Sequence, residues 1–307
     1  MQEESRGGDL THISEVLARD SGSSSPDLTK PVKEKRTEDC TCGQCGQPFQ
    51  GEVTYYPRWP KSKPSRPTEC PSCAAKRKAR EAEELEVERE SQRIVLREQW
   101  RRATGMPVEL LAKTFDNFEK QYQRTAFKIA HDWAKDFDLD SPGGYPSLFF
   151  YSDTPGVGKG HLMSGIVNYV LDNWKGNPER TRCPIRFESG PSLVRRIRAT
   201  YNIRKEDDTH EREDEVYRAL AGVPLLLLDD VGKETPSRFT RETYWYIIAE
   251  RVNSGLPVLI SSRRPLEGDN SLEELMGVDT VDRLYGMTRG QMVKMKGPSY
   301  RRREAVP

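Results

Sequence analysis

An apolar run, Ser147–Tyr151, leads into a glycine-rich turn that ends in Gly158 and Lys159. Successive backbone N–H groups of such a turn point inward, so they can bind phosphate oxygens at the start of a helix while the lysine reaches the outer phosphates. The pattern predicts a strand, a nucleotide-binding P-loop and a helix, in this order. Two positions depart from the usual motif, because Asp153 replaces its first glycine and Gly160 replaces the Ser or Thr that coordinates Mg²⁺.

A second apolar segment, 223–228, ends in the paired carboxylates Asp229 and Asp230. A run of leucines is typical of a parallel strand that is buried on both faces, and ligands of α/β sheets bind beyond the carboxyl ends of such strands. Carboxylates at this place can hold a metal ion and the attacking water. Either motif alone is weak, since two core strands with a glycine turn would look similar. Both in this order predict a site for ATP and Mg²⁺.

The composition limits the class of protein. The 307 residues are enough for about two domains, and 32% charged against 35% hydrophobic residues predicts solvated segments outside the core. The net charge of +1 does not by itself indicate a nucleic-acid partner, although basic clusters occur at 76–80, 195–198 and 301–303. No apolar run approaches the roughly 20 residues that span a bilayer, and the N-terminus lacks the apolar core of a signal peptide. We expect a soluble, cytoplasmic protein of a bacterial cell, with no membrane partner and with phage or plasmid encoding left open.

Changes in composition divide the chain into four expected segments. They are a disordered tail over 1–38, a zinc-binding module over 39–75, a charged helical linker over 76–104 and a globular domain over 105–307. The linker is rich in Lys, Arg, Glu and Ala without Pro or Gly, so we expect a solvated helix in preference to a coiled coil.

The globular domain shows a repeated alternation of strand and helix patterns. This alternation predicts an α/β fold with a parallel sheet between helices. Five residues at helical spacing before the P-loop strand are interpreted as one core face of a helix and not as ligand contacts. They are Phe118, Tyr122, Ile129, Trp133 and Phe137.

Four of the six cysteines form two Cys-x-x-Cys pairs, Cys42 with Cys45 and Cys70 with Cys73. Two such turns, separated by residues 46–69, can converge on one Zn²⁺ with tetrahedral geometry. A redox dithiol is the alternative, but it would not need two matched pairs. In so small a module the ion is expected to stabilise the fold.

Two features of this module leave alternatives open. Cys40 lies near Cys42 and competes with it as a ligand, but with less suitable spacing. The segment between the cysteine pairs contains aromatic and basic residues that would suit either stacking on single-stranded bases or docking to a protein. These residues are Tyr55, Tyr56, Arg58, Trp59, Lys61 and Lys63.

With these motifs in order, the chain resembles the helicase-loader branch of the AAA+ ATPases, which comprises the DnaC, DnaI and IstB-like proteins. The resemblance extends from Gly105 to Arg301, and the pair His161-Leu162 is more specific to this branch than the P-loop itself. It rests on the segments Thr114–Phe118, Ser152–Leu162, Leu225–Glu234, Asp282–Leu284 and Lys296–Arg301. It implies an AAA+ domain, and a zinc-binding N-terminal module that docks on the replicative helicase is known among such loaders.

Matched by position, the resemblance implies how ATP and Mg²⁺ are held. Lys159 would contact the β- and γ-phosphates, and Asp229 would orient Mg²⁺ through water. Asp230, together with Glu234, would position the hydrolytic water. The remaining expected cofactor contacts are Pro155, Gly156, Val157, Gly158, Gly160 and His161.

Two arginines match sensors of the γ-phosphate in this family. Arg283 matches the arginine finger, which reaches the nucleotide of the adjacent subunit and so implies self-association. Arg301 matches an arginine that contacts the γ-phosphate in its own subunit. Without the P-loop and the acidic strand, both would be interpreted as ordinary surface arginines.

Three positions differ from the family pattern; the first two predict slow hydrolysis, and the third concerns a contact at the subunit interface. Gly160 lacks the hydroxyl that coordinates Mg²⁺. Arg263 stands where the family usually has an asparagine. Its cationic side chain would stabilise bound ATP without polarising the water. Gly277 lacks the Glu-Arg pair that commonly follows it.

Loaders of this class hold single-stranded DNA near the segment that follows the second strand. Here that segment contains Arg195, Arg196, Arg198 and Tyr201, which combine phosphate-neutralising and stacking groups. A solvated helix face is the alternative, since charge runs are usually exposed. The acidic stretch at 206–215 would weaken a general DNA-binding patch.

These features predict an ATP-dependent loader that places a hexameric replicative helicase on single-stranded DNA. An IstB-like transposition ATPase is close in fold, and the zinc module argues mildly against it. A nucleotide-binding adaptor with little hydrolysis is the third hypothesis, favoured by Gly160 and Arg263.

Overall fold

The computed structural model describes residues 33–57, 61–200 and 212–303, and it divides into two units, Met1–Leu85 and Glu86–Pro307. In the first unit, the antiparallel strands β1 (Glu34–Thr41) and β2 (Pro48–Tyr55) form a hairpin. Strand β1 therefore includes residues 34–38, which the composition assigned to the tail. Pairing with β2 gives these polar residues backbone partners, so they need no apolar periodicity to be ordered.

Helix α1 (Pro71–Ala103) begins in the first unit and ends in the second. Near its end Trp100 is 2% exposed and contacts Trp174, with ring centroids 4.6 Å apart. Arg97 donates to the carbonyl oxygen of Trp174, and Arg93 donates to that of Gly176 at 2.9 Å. One face of the second half of α1 is therefore packed, because its long arginine stems cover apolar surface while their heads bind carbonyl groups. The other residues of this half, such as Ile94 and Val95, are mostly exposed, as expected for a solvated helix.

The second unit is built on a five-stranded parallel sheet with the order β4-β5-β6-β3-β7. Its strands are β3 (Leu148–Tyr151), β4 (Ile185–Ser189), β5 (Leu225–Val231), β6 (Val258–Ser262) and β7 (Met292–Lys294). Its further helices are α2 (Val108–Leu111), α3 (Arg124–Asp136), α4 (Lys159–Asn173), α5 (Gly190–Thr200), α6 (Glu213–Gly222), α7 (Arg238–Asn253), α8 (Glu273–Met276), α9 (Val278–Thr288) and α10 (Tyr300–Arg303).

Alternation along the strands places side chains in two hydrophobic cores, one on each face of the sheet. Leu225 and Leu227 pack with residues of α3 and α4, whereas Leu226 and Leu228 pack with residues of α5 to α9. The leucine run before the aspartates is therefore buried on both faces. The expected α/β fold, a parallel sheet between helices, is confirmed. In the described ranges, no helix is both long enough and apolar enough to cross a membrane.

Arg251 in α7 is buried and fixes the ends of several elements. Its guanidinium donates to the carbonyl oxygens of Leu220, Ala221 and Val223 at the end of α6, and also to that of Pro257. Burial lowers the pKa of Arg251 to about 9, so the group remains charged at neutral pH. These bonds satisfy carbonyl groups that a helix end leaves without partners.

Candidate functional site

A cavity of about 830 Å³ opens at the carboxyl ends of the central strands of the second unit. All nine residues predicted to contact the cofactor line it, as does Asp230. The nine are Pro155, Gly156, Val157, Gly158, Lys159, Gly160, His161, Asp229 and Arg301. The whole set thus surrounds one cavity, and contact of these residues with a nucleotide stays a prediction.

The P-loop turn depends on two glycines with left-handed backbone conformations. Gly156 has φ +73° and Gly158 has φ +104°. A Cβ at Gly156 would overlap Ser299 Oγ, and one at Gly158 would lie 2.9 Å from the ring of Phe118. Helix α4 begins directly at Lys159, so its first N–H groups are directed at the cavity.

The ammonium group of Lys159 is buried beside two carboxylates. Burial lowers the pKa of Lys159, and the charges of Asp230 and Asp229 oppose this effect. Burial also raises the pKa of Asp229, whose Oδ1 accepts a hydrogen bond from Ser261 Oγ at 2.5 Å. An ammonium and a carboxylate that are both desolvated fit a triphosphate with its divalent cation, which would supply the missing opposite charges.

Asp230 has an unusual backbone and a cationic neighbour. Its φ is +53°, and its N–H donates to Ser261 Oγ at 3.0 Å. Its Oδ2 lies 2.5 Å from Lys233 Nζ, so the carboxylate expected to position water is already paired with a cation. Lys233 also lines the cavity, and no motif had singled it out.

Two predicted catalytic residues lie outside the lining of this cavity. Glu234 is 7% exposed and accepts hydrogen bonds from the Gly232 N–H and from Tyr244 Oη. Each of its oxygens thus accepts one hydrogen bond from within the second unit, and the role of Glu234 in positioning the hydrolytic water stays a prediction. Arg283 lies half-buried on α9, where reaching a neighbouring subunit stays a prediction.

His161 fastens the segment before α3 to the P-loop helix. Its Nε2 lies 2.8 Å from both the carbonyl oxygen of Thr114 and Oδ1 of Asn117, and its ring meets that of Phe118 edge to face. Asn117 in turn accepts from the Thr114 N–H and donates to the carbonyl oxygen of Ala112. This network explains physically why a histidine follows the P-loop here.

The aromatic stripe predicted for the core is only partly core. Phe118, Trp133 and Phe137 are buried in one core and Ile129 packs against it, whereas Tyr122 is 50% exposed and lines the cavity. The error arose because residues 114–123 form turns and a short 3₁₀ helix, so the spacing did not continue along one helix axis.

A segment near the C-terminus closes the opposite side of the cavity. The Tyr300 N–H donates to the carbonyl oxygen of Gly156, and Tyr300 Oη donates to Glu119. Gln123 donates to the carbonyl oxygen of Lys296 at 2.8 Å. Exposed Arg301 and Arg263 add positive charge to the cavity lining.

The arginines of α5 divide into two groups. Arg196 donates to Glu188 of β4, which also pairs with Arg186, so Arg196 serves an internal ion pair. Arg195 and Arg198 are exposed, and the guanidinium of Arg198 lies 5.0 Å from the ring centroid of Phe239. DNA contact by these residues stays a prediction. Tyr201, Arg58 and Trp59 lie outside the described residues.

The first unit contains a cluster of four cysteines. The Sγ atoms of Cys42, Cys45, Cys70 and Cys73 all lie within 4.8 Å of one another, and those of Cys45 and Cys70 are 3.9 Å apart. Tetrahedral zinc with Zn–S bonds of about 2.3 Å would need separations of roughly 3.8 Å. Among the described residues, Cys40 is not part of this cluster.

The surroundings of the thiols fit a metal centre. The Cys70 N–H donates to Cys42 Sγ at 3.3 Å and, with the Cys45 N–H, lowers the pKa of Cys42 to about 6. Hydrogen bonding with the Cys70 and Cys45 thiols raises the pKa of Cys73 to about 12. A bound cation would favour the thiolate form of all four, so the four cysteines could hold Zn²⁺.

Curated relatives support the resemblance inferred from the motifs, although no family model matches the chain. The replicative helicase loader DnaC of Buchnera aphidicola subsp. Acyrthosiphon pisum is 26% identical over 177 residues. DnaC of Escherichia coli K12 is 22% identical over 200 residues, which cover 64% of this chain and 73% of that protein. The resemblance to the DnaC branch is confirmed. The DnaC-like region covers 56% of this chain and 62% of the length of the Buchnera relative.

A solved structure is also similar to part of this chain. The crystal structure of the DnaC helicase loader has 22% sequence identity and a TM-score of 0.48, and it covers 62% of this chain and all of the solved one. The fold assignment itself rests on the sheet order and the two cores described above.

Removing one cluster cysteine should release the metal. We expect Cys42→Ser to lower the zinc content from about one ion per chain to less than about 0.2, because a three-thiolate site lacks the fourth ligand of a closed structural centre. Cys40→Ser is the matched control and should keep its zinc. Zinc content measured by atomic emission on the purified proteins tests this, and equal loss from both variants would contradict the assigned ligands.

Acidification should weaken the network around His161. Burial lowers the pKa of His161 below its ordinary value of 6.5, so the folded state binds fewer protons than the unfolded state. The stabilisation is therefore fully present above about pH 6.5 and is lost as the pH falls through the lowered pKa. Urea unfolding at about pH 7.5 and 5.5 should show a smaller acid effect in His161→Gln than in the wild type, with half-buried His131→Gln as the control. An equal acid effect in all three proteins would refute the role of His161.

Proposed function

We propose that this protein is an ATP-dependent replicative helicase loader. The single observation that carries this proposal is the cavity in the second unit, where all nine expected cofactor residues lie together around Lys159. ATP and Mg²⁺ bind there, and hydrolysis to ADP and phosphate drives or times the loading. The two proteins named as relatives are replicative helicase loaders, and the chain covers only part of the first of them.

Each group around the cavity has a role in the proposed reaction. Lys159 binds the β- and γ-phosphates, and Asp229, held by Ser261, orients the Mg²⁺ ion through water. Asp230 positions the attacking water once Lys233 turns towards the phosphates. Positioning and charge stabilisation account for most of the catalysis in phosphoryl transfer.

Assembly and partners complete the proposal. Arg283 acts as the finger at the nucleotide of an adjacent subunit, a contribution worth about 10³–10⁵ in rate in P-loop enzymes. The exposed Arg195 and Arg198 bind single-stranded DNA inside the assembly, and the zinc module docks on the hexameric helicase. The setting is the bacterial cytoplasm.

ATP turnover should depend on Lys159 and respond to the partners. We expect the wild type to hydrolyse ATP faster with single-stranded DNA and helicase than alone, and Lys159→Ala to lose at least about tenfold in every condition, because the phosphates lose their buried cation. Exposed Lys175→Ala is the control. Tight ATP binding without turnover in any condition would overturn the ATPase proposal.

DNA binding is measured in the same preparations. Arg195→Glu with Arg198→Glu should weaken binding of a fluorescent oligo-dT and flatten its salt dependence, since fewer counterions are released. Arg124→Glu, an exposed arginine at the start of α3, is the control. Unchanged affinity in the double variant would remove α5 from the proposed DNA site.

A nucleotide-binding adaptor with slow turnover is the second candidate. Gly160 offers no hydroxyl to Mg²⁺, and Lys233 occupies the carboxylate of Asp230. In such a protein, ATP would set the assembly state and the zinc module would recruit the partner. The two candidates differ in whether the missing hydroxyl limits the rate.

Restoring that hydroxyl should accelerate turnover. A Cβ at Gly160 would lie 3.5 Å from Leu110 Cδ2 and 4.0 Å from Asp229 Oδ1, so a serine fits and places its Oγ beside the metal-binding carboxylate. We expect Gly160→Ser to raise kcat about tenfold, to lower the Mg²⁺ concentration needed and to leave the free energy of unfolding unchanged or higher. Gly222→Ser, at a glycine with open space around its Cβ position, is the control. An unchanged rate with intact ATP binding would show that the hydroxyl is not limiting.

A further inference from the structure

Glu234 is buried where three parts of the second unit meet. Its Oε2 accepts the Gly232 N–H at 2.7 Å, and its Oε1 accepts Tyr244 Oη at 2.5 Å. Tyr244 is fully buried in α7, within the core on that face of the sheet. The carboxylate thus bridges the end of β5 to α7 through two hydrogen bonds.

The third contact is with the first residue of α5. A Cβ at Gly190 would overlap Glu234 Oε1 and would lie 2.8 Å from Tyr244 Oη. Only glycine leaves room for the carboxylate, although Gly190 has no left-handed backbone that would itself require glycine. The start of α5 and the position of Glu234 are therefore sterically linked.

The turn that Glu234 holds also presents Asp230 to the cavity. Asp230 has φ +53° and Gly232 has φ +102°, two left-handed residues in close succession. A non-glycine residue in this conformation persists only where its surroundings hold it. Ser261 Oγ binds the Asp230 N–H on one side, and Glu234 binds the Gly232 N–H on the other.

Helix α5 can transmit a contact made on its outer face. Leu193, Val194 and Ile197 are buried towards the sheet, whereas Arg195 and Arg198 are exposed on the same helix. A ligand that moves the arginine face therefore moves Gly190 as well, because the helix is hydrogen-bonded along its length.

We propose that Glu234 is a positioning residue that links the start of α5 to the turn carrying Asp230, so that contacts on the arginine face of α5 change ATP turnover. The link between α5 and turnover rests on the proposed function, in which Arg195 and Arg198 bind single-stranded DNA. The steric and hydrogen-bonded contacts of Glu234 do not depend on it.

A double-mutant cycle tests the contact in the full-length protein. Glu234→Ala should lower kcat about tenfold with the KM for ATP within about twofold, because Asp230 is misplaced while the phosphates keep their partners. Gly190→Ala should lower kcat similarly by displacing the carboxylate. In the Glu234→Ala background it should add at most about twofold, because only the close contact with Tyr244 Oη remains. Effects that multiply in the double variant would overturn the proposal.

Two conservative variants distinguish a positioning role of Glu234 from a role in proton transfer, and from an effect of misfolding in Glu234→Ala. Glu234→Gln keeps an acceptor for the Gly232 N–H and should retain kcat within about twofold. A loss as large as that of Glu234→Ala would instead assign the carboxylate a role in proton transfer and overturn the proposal. Should Glu234→Ala fail to fold, Tyr244→Phe removes one donor only, and an unchanged kcat there would also count against it.

Coupling to DNA is measured as the ratio of turnover with and without an oligo-dT. This ratio should exceed one in the wild type and fall to about one in Glu234→Ala, although the affinity for DNA stays within about twofold. If the wild type binds ATP without hydrolysing it, the ratio of the ATP affinities with and without oligo-dT replaces the ratio of turnover rates. This is equivalent because coupling between two ligands is reciprocal. A wild-type ratio of one with intact binding of ATP and DNA overturns the link through α5. A wild type that fails to bind ATP or DNA overturns the proposed function instead, so the binding measurement distinguishes the two failures.

Discussion

The ammonium group of Lys159 is buried at the bottom of the cavity, and the strands around it are arranged to compensate for its charge. A buried charge is costly unless opposite charges or hydrogen bonds replace the water it has lost. Asp229 and Asp230 at the end of β5 provide the opposite charge. They depend in turn on Ser261, which binds the carboxylate of Asp229 and the backbone of Asp230. Because β6 lies between β3 and β5 in the sheet, its serine stands between the P-loop and the aspartates.

Two segments that are remote from the P-loop in sequence pack closely against it. Residues 107–123 cover one side through His161 and Phe118, and residues 296–301 cover the other through Ser299 and Tyr300. Both segments occupy space that Gly156 and Gly158 leave free because they have no Cβ. The same device recurs at Gly190, where a missing Cβ admits the carboxylate of Glu234. Glycines in this protein thus permit contacts between segments as well as turns within them.

Much of the fold and of the site could be predicted from local patterns. The strand and turn before Lys159, the leucine run before Asp229 and the two cysteine pairs each contain their own chemistry within a few residues. Predictions failed where the partner of a residue lay far along the chain. Tyr122 lines the cavity and is not core, and Trp100 is buried against Trp174 at the end of a helix that looked solvated.

The sequence by itself determined the alternation of strands and helices in the globular domain, the glycine-rich turn before Lys159, the paired aspartates and the four clustered cysteines. Each of these features is set by side-chain periodicity or by the spacing of residues that are close in the chain. Only the tertiary structure decided which carboxylates face the cavity, which arginine of α5 pairs with Glu188, and which segments close over the P-loop. Those outcomes depend on contacts between different elements, many of them between residues separated by tens to hundreds of positions. Such a hydrogen bond or close contact leaves no periodic pattern in the sequence, because it depends on how the sheet brings the ends of its strands together.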